Sequence, residues 1–276
     1  WAQGGPHADP KAGFRSFPEE IDGEKRKIRA ETFADHYSQA RQFYVSQTKI
    51  EQGHIADALI FELSKVVAPE IRKRMVAHLP HIDADLASKV ADGLGLDEVP
   101  EAHEAAREPI ADLPASDALS ILKNGPDSFA GRKMGILVTD GINDVMLNGL
   151  KDAVTSAGGV VEIVAQKVGG VVTAGGKKIP ADQKIDGAPS VLYDAVAILA
   201  TADGAKALAE LHPARTFVAD AFAHAKFIGR SQETDPLLKA AGVKDDDGMM
   251  TIGAAKDAKA FVKACAALRH WDRMAK

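Results

Sequence analysis

Lys133-Met-Gly-Ile-Leu-Val-Thr-Asp140 is the stretch that decides the fold. A short apolar run that stops at Thr139-Asp140-Gly141 reads as a strand buried on both faces. Residues 144–157 then place Val145, Leu147, Leu150 and Val154 at mostly helical spacing, and Gly158-Gly159 ends the helix. A second apolar run follows at 160–165. Strand, helix, strand within about thirty residues is a βαβ unit. Further strands are predicted at 193–199, 215–220, 226–228 and 249–252, with helices at 204–211, 236–241 and 254–274. In the last helix Phe261, Ala264, Cys265 and Leu268 point inward. Residues 169–179 alternate around Gly175-Gly176 and read as an inserted hairpin. The expected fold class is α/β, an open parallel sheet with helices on both faces.

Upstream the period is helical. Tyr37, Ala40 and Tyr44 share a stripe, with Phe43 beside it. Thr48-Lys-Ile-Glu51 is a capping box opening a helix with Ile55, Leu59, Leu63 and Val66 on one face. Pro69 suits the first turn of a third helix, with Ile71, Met75 and Leu79 inward and Arg72, Lys73 and Arg74 outward. Asp83 can cap a fourth, bearing Leu86, Val90 and Leu94. The expected division is an arm over 1–33, a small helical domain over 34–95, a proline-rich linker over 96–131 with one short helix at 116–122, and the α/β domain over 132–276.

The chain has 276 residues, enough for one large or two ordinary domains. A net charge of −5 gives no basis for a nucleic-acid or anionic-membrane partner. No apolar run approaches the roughly 18 residues of a membrane span. The amino terminus has neither the basic nor the apolar part of a signal peptide, and its lack of an initiator Met suggests a start inside a longer protein. A single cysteine, Cys265, is compatible with a reducing, cytoplasmic setting.

In an open α/β sheet, ligands bind beyond the carboxyl ends of the strands. The groups expected there are Thr139, Asp140, Asn143 and Asp144, then Thr201 and Asp203, then Asp220 with His224. Asp220 and His224 are either an acid/base pair or a helix cap beside a surface histidine, and capping is the commoner role. There is no dinucleotide fingerprint, P-loop or G-x-S-x-G elbow. Asp245-Asp-Asp-Gly248 resembles a calcium loop, but Lys256 stands where the bidentate Glu belongs, so it reads as a turn. His78 and His81 flank Pro80 with no third ligand near in sequence, and His54 lies on a charged face with Glu51 and Asp57. Cys265 reads as an inert core thiol.

Asp35-His-Tyr-Ser-Gln-Ala-Arg-Gln-Phe-Tyr-Val-Ser-Gln47, Glu51-Gln-Gly-His-Ile-Ala-Asp-Ala-Leu-Ile-Phe-Glu-Leu-Ser-Lys-Val66 and Ile71-Arg-Lys-Arg-Met-Val-Ala-His-Leu79 closely resemble the haem catalases. The match is to the helical domain that follows their haem-binding barrel. Gly13-Phe14 and Gly23-Glu-Lys-Arg-Lys-Ile-Arg29 resemble the family's wrapping arm. Residues 132–276 resemble the flavodoxin-like domain that large-subunit catalases append. The resemblance implies a tetrameric parent that disproportionates hydrogen peroxide at a haem. Its catalytic and haem-ligating groups lie upstream of the matching region, so no catalytic, cofactor-binding or metal residue is carried over, and no cofactor is expected for this chain alone. Gln39 and Phe43 match positions bordering a dinucleotide site in small-subunit relatives, a site the appended domain is expected to cover. That appended domain is similar to class I glutamine-amidotransferase-like proteins. Asp220 of Val218-Ala-Asp220-Ala-Phe222 then stands where their cysteine would be, so thiol chemistry is not expected. The alternatives are a binding or chaperone module, or a small-molecule enzyme acting at the sheet edge.

Overall fold

The computed structural model describes residues 18–274, which fall into two compact units divided in sequence between Gly125 and Pro126. Trp1, Gly13, Phe14 and Phe17 of the expected arm lie outside the described residues.

The first unit opens with extended chain and a 3-10 turn at Glu31–Ala34. Four helices follow: α1 (Ser38–Ser46), α2 (Lys49–Ser64), α3 (Pro69–Val76) and α4 (Ala84–Gly93). The capping box forms in full, with the Glu51 amide donating to Thr48 Oγ1 and the Thr48 amide donating to Glu51 Oε2. Asp83 caps α4 through the Leu86 amide. Tyr44, Ala56, Leu63, Val76, Leu79, Leu86 and Val90 make the core. Ile71 and Met75 are exposed, against expectation, because the buried side of the two-turn α3 is Val76. The segment after α4 is held to the helices by named bonds. The Ile110 amide donates to Ser38 Oγ, the Ser116 amide to Ser46 Oγ, and Ser120 Oγ and the Leu122 amide to Glu51. The short helix expected at 116–122 is only a 3-10 turn at Asp117–Leu119.

In the second unit β1 (Lys133–Val138), α5 (Asp144–Ser156) and β2 (Val160–Ala165) form the βαβ unit. The hairpin β3 (Val171–Val172) and β4 (Lys178–Ile179) comes next, then a short β5 (Gln183–Lys184). The chain continues through β6 (Ala195–Leu199), α6 (Ala202–Glu210), α7 (His212–Ala223), β7 (Ile228–Arg230), α8 (Asp235–Ala240), β8 (Met249–Thr251) and α9 (Ala255–Cys265). The six-stranded sheet runs β5-β2-β1-β6-β7-β8 with every pairing parallel, while β3 and β4 pair antiparallel apart from it. Alternation in β1 and β6 divides the core by face. Met134, Ile136, Ala197 and Leu199 pack with α5 and α9, whereas Leu137, Val196 and Ile198 pack with α6, α7 and α8. Gly135 is bare because the Tyr193 ring lies on it; a Cβ there would stand 2.5 Å from Tyr193 Cδ2.

Residues 215–220 are the main correction. They are helical, not a strand, since Ala214, Phe217, Val218 and Ala221 are all buried at i, i+3, i+4 and i+7. The β-branched Thr216 and Val218 suggested a strand, but packing of the apolar face overrides that preference. The last helix is also shorter than expected, because Leu268 adopts a left-handed conformation (φ 71°) and breaks it.

Candidate functional site

The sheet order reverses at β1, with β2 on one side and β6 on the other, and ligand crevices of open α/β sheets lie beyond such a point. Here that edge is occupied by the hairpin. Asp140 Oδ1 accepts the Val172 amide at 2.7 Å and Asp144 Oδ2 the Gly175 amide at 3.0 Å. The Gly141 amide donates to the Val172 carbonyl, and the Ala174 amide to that of Ile142. Asn143 and Thr201 cap α5 and α6. Thr139 Oγ1 accepts the Thr201 amide at 3.2 Å, and Gly204 packs so closely that a Cβ would collide with that oxygen.

Two clefts flank this seam. One of about 280 Å³ is lined by Asp140, Lys167, Thr201 and Asp203 among others; one of about 380 Å³ by Asn143, Met146, Ser231 and Glu233. The sequence brings Thr139, Asp140, Asn143, Asp144, Thr201 and Asp203 together as expected, but Asp140 and Asp144 hold the hairpin, Asn143 and Thr201 cap helices, Thr139 accepts the Thr201 amide and Asp203 pairs with Lys206. Asp220 and His224 are elsewhere. Asp220 sits in the last turn of α7, and the exposed His224 donates Nδ1–H to its main-chain carbonyl at 2.8 Å rather than to its carboxylate. They do not form an acid/base pair. The residue that follows a strand here is Ser231, after β7, and its buried hydroxyl donates to the Ala200 carbonyl (2.8 Å) while accepting the Ala200 amide (3.0 Å). Among the described residues no nucleophile is poised at that corner.

Other charged groups of this unit are paired away from the two clefts. Lys226, 2% exposed, donates Nζ to the carbonyls of Ser190 and Tyr193. Burial, aided by Arg269, pulls its pKa down to about 8, against the opposing pull of Asp194 and Asp220. Glu162 accepts from Lys133 Nζ at 2.6 Å and Tyr193 Oη at 3.1 Å. Asp245 and Asp246, the calcium-like turn, pair with Arg230 and Arg273 instead. Cys265 is buried and its thiol pKa is pushed up by desolvation, which makes it a poor nucleophile.

In the helical unit the structure supplies what spacing could not show, a third imidazole. His103 packs on His78 with ring centroids 4.3 Å apart. Two of the ring nitrogens are engaged, Tyr37 Oη bonding His78 Nδ1 (2.9 Å) and His81 Nε2 the His103 carbonyl (2.6 Å). Among the described residues no group of three or more His, Cys, Asp or Glu is placed to hold a metal ion. Gln39 lines a cleft with Thr32, Phe33 and Asp35, whose charged member is a carboxylate and so repels phosphate, and Phe43 is exposed.

Comparison with known proteins gives two family matches, "Catalase-related immune-responsive" over residues 30–94 and "C-terminal domain found in long catalases" over 130–275. Catalase C of Rhizobium meliloti (strain 1021) is 50% identical over 275 residues, covering 99% of this chain and 39% of that protein. Catalase HPII of Mycobacterium avium is 36% identical over 94% of the chain, and Catalase-2 of Bacillus subtilis (strain 168) 31% over 97%. In both cases the chain covers 38% of the relative, so it spans about two fifths of the curated proteins it matches. Among the described residues no helix is long and apolar enough to cross a membrane. Since one family match alone covers more than half of its residues, the chain belongs to the long-catalase family and corresponds to the C-terminal portion of such an enzyme.

Proposed function

We propose that this chain is the assembly and stability portion of a long haem catalase, whose intact form disproportionates hydrogen peroxide to water and oxygen. Its parent is a cytoplasmic homotetramer in this proposal, and the chain adds subunit contacts rather than chemistry. The carrying observation is the sheet edge, where the polar groups of Asp140, Asp144, Asn143 and Thr201 hold a hairpin and two helix caps. Among the described residues no tyrosine or cysteine is placed to hold a haem iron. Tyr37 is bonded to His78 and stacked on His81, Tyr44 is buried in the helical core, Tyr193 donates to Glu162 and Cys265 is enclosed. Among the described residues, those lining the two clefts beside the seam include no tyrosine, cysteine or histidine. The test mixes the purified chain with haem and records the visible spectrum together with oxygen release from peroxide. A flat result is expected. A stable Soret band with turnover would overturn the proposal.

A further inference from the structure

The histidine cluster has a conformational consequence beyond packing. Among the described residues, both main-chain hydrogen bonds that tie 97–109 to the helices run through His103. Its amide donates to the Ala77 carbonyl (3.1 Å) and its carbonyl accepts from His81 Nε2 (2.6 Å). Its ring lies on that of His78, which in turn is bonded to Tyr37, while His81 stacks on Tyr37 at 4.3 Å. Most of residues 97–109 are exposed, so the histidines are the point of attachment. The His78 ring therefore lies between the Tyr37 hydroxyl and the His103 ring, a setting that favours its neutral form.

We propose that His78 is the acid-sensitive element of a latch, built with His103 and His81, that holds the segment 97–109 against the helical unit while His78 is neutral and frees it when His78 is protonated. A proton on His78 would leave both of its ring nitrogens as donors and place a cation against the His103 ring. Burial, then the neighbouring His103 and His81, lower the His78 pKa from its ordinary 6.5. Other groups facing the cluster are His36 at the edge of Tyr37, Asp35 accepting the Tyr37 amide, and Arg107 acting on Asp35 from the segment itself. A base whose folded pKa is depressed stabilises the latched form above 6.5 and loses that contribution as pH falls toward the folded value.

Hydrogen exchange of the intact chain, corrected for intrinsic rates, tests this at about pH 7.5 and about pH 5. Peptides within 97–109 are expected to lose protection about tenfold or more at the lower pH, while α2 and α4 keep theirs. Unchanged protection, or loss in step with α2 and α4, would overturn the latch. His78→Gln retains an acceptor for Tyr37 and is expected to abolish the acid release, so wild-type release in that variant would also count against it. Should the variant fail to fold, NMR titration of the wild type decides. Amide shifts of 97–109 must follow the His78 midpoint below 6.5, and a different midpoint refutes the proposal.

Discussion

Replacing Glu51 by glutamine isolates one carboxylate that serves two structures at once. Glu51 completes the capping box of α2 and also accepts from Ser120 Oγ (2.8 Å) and the Leu122 amide (3.1 Å). Burial alone would raise its pKa. The bonds from the Thr48 amide, Leu122 amide, Ser120 hydroxyl and Thr48 hydroxyl outweigh that and lower it from 4.5 to about 2. At ~1.4 kcal/mol per tenfold in proton affinity, the displacement corresponds to about 3 kcal/mol of stability in the helical unit. A carboxamide in place of the carboxylate would turn its NH₂ toward at least one of these donors, so Glu51→Gln should cost about 2 to 3 kcal/mol near neutral pH. Native-state hydrogen exchange reads this as a fall in protection of roughly thirty- to a hundredfold for α2 and for residues 116–122 together. The folded pKa is depressed, so the wild-type advantage is full above 4.5 and disappears as pH falls toward 2. Equal protection of the two proteins at neutral pH, or a difference that persists undiminished at pH 2, would refute the reasoning.

Three further outcomes follow from the second unit. Lys226→Met should flatten the pH dependence of stability between 8 and 10.5; wild type gains stability across that window because its buried ammonium deprotonates more readily folded than unfolded, and urea titrations at both ends check this. Gly135→Ala should destabilise the sheet by about 2 kcal/mol or more, since its Cβ would meet the Tyr193 ring, and a second change, Tyr193→Leu, should recover part of the loss by the same assay. Gly170→Ala should release the hairpin, because φ is +78° and the new Cβ would overlap the Ile179 carbonyl; increased exchange at Val172 and Gly175 measures it.

The sheet was legible wherever an apolar run was buried on both faces. β1, β2 and β6 lie where periodicity put them, and so do the capping box, the Asp83 cap and the Gly175-Gly176 hairpin. Residues 215–220 were misassigned because Thr216-Phe-Val218 carries strand propensity, although the helical spacing of 214, 217, 218 and 221 was present to be counted. That error placed Asp220 at a strand end that does not exist. Residues 183–184 gave no signal, since two polar residues at a sheet edge have neither period nor hydrophobicity. The sheet-edge polar residues were named correctly, yet their use in holding a hairpin depends on tertiary bonds that local pattern does not encode. The same holds for His103, Lys226 and Ser231, whose partners lie 22, 36 and 31 positions away.

The bonds from 110, 116, 120 and 122 back to α1 and α2 bear on where the gene can be cut. An expression boundary drawn after Gly95, where helical periodicity stops, would remove the donors to Ser38, Ser46 and Glu51 and uncover the His78 ring on which His103 packs. The recombinant helices would then be purified lacking part of their own scaffold. Ending at Gly125 retains every one of those donors, and starting the companion fragment at Pro126 leaves the sheet with the Phe129 side chain that helps fill its core.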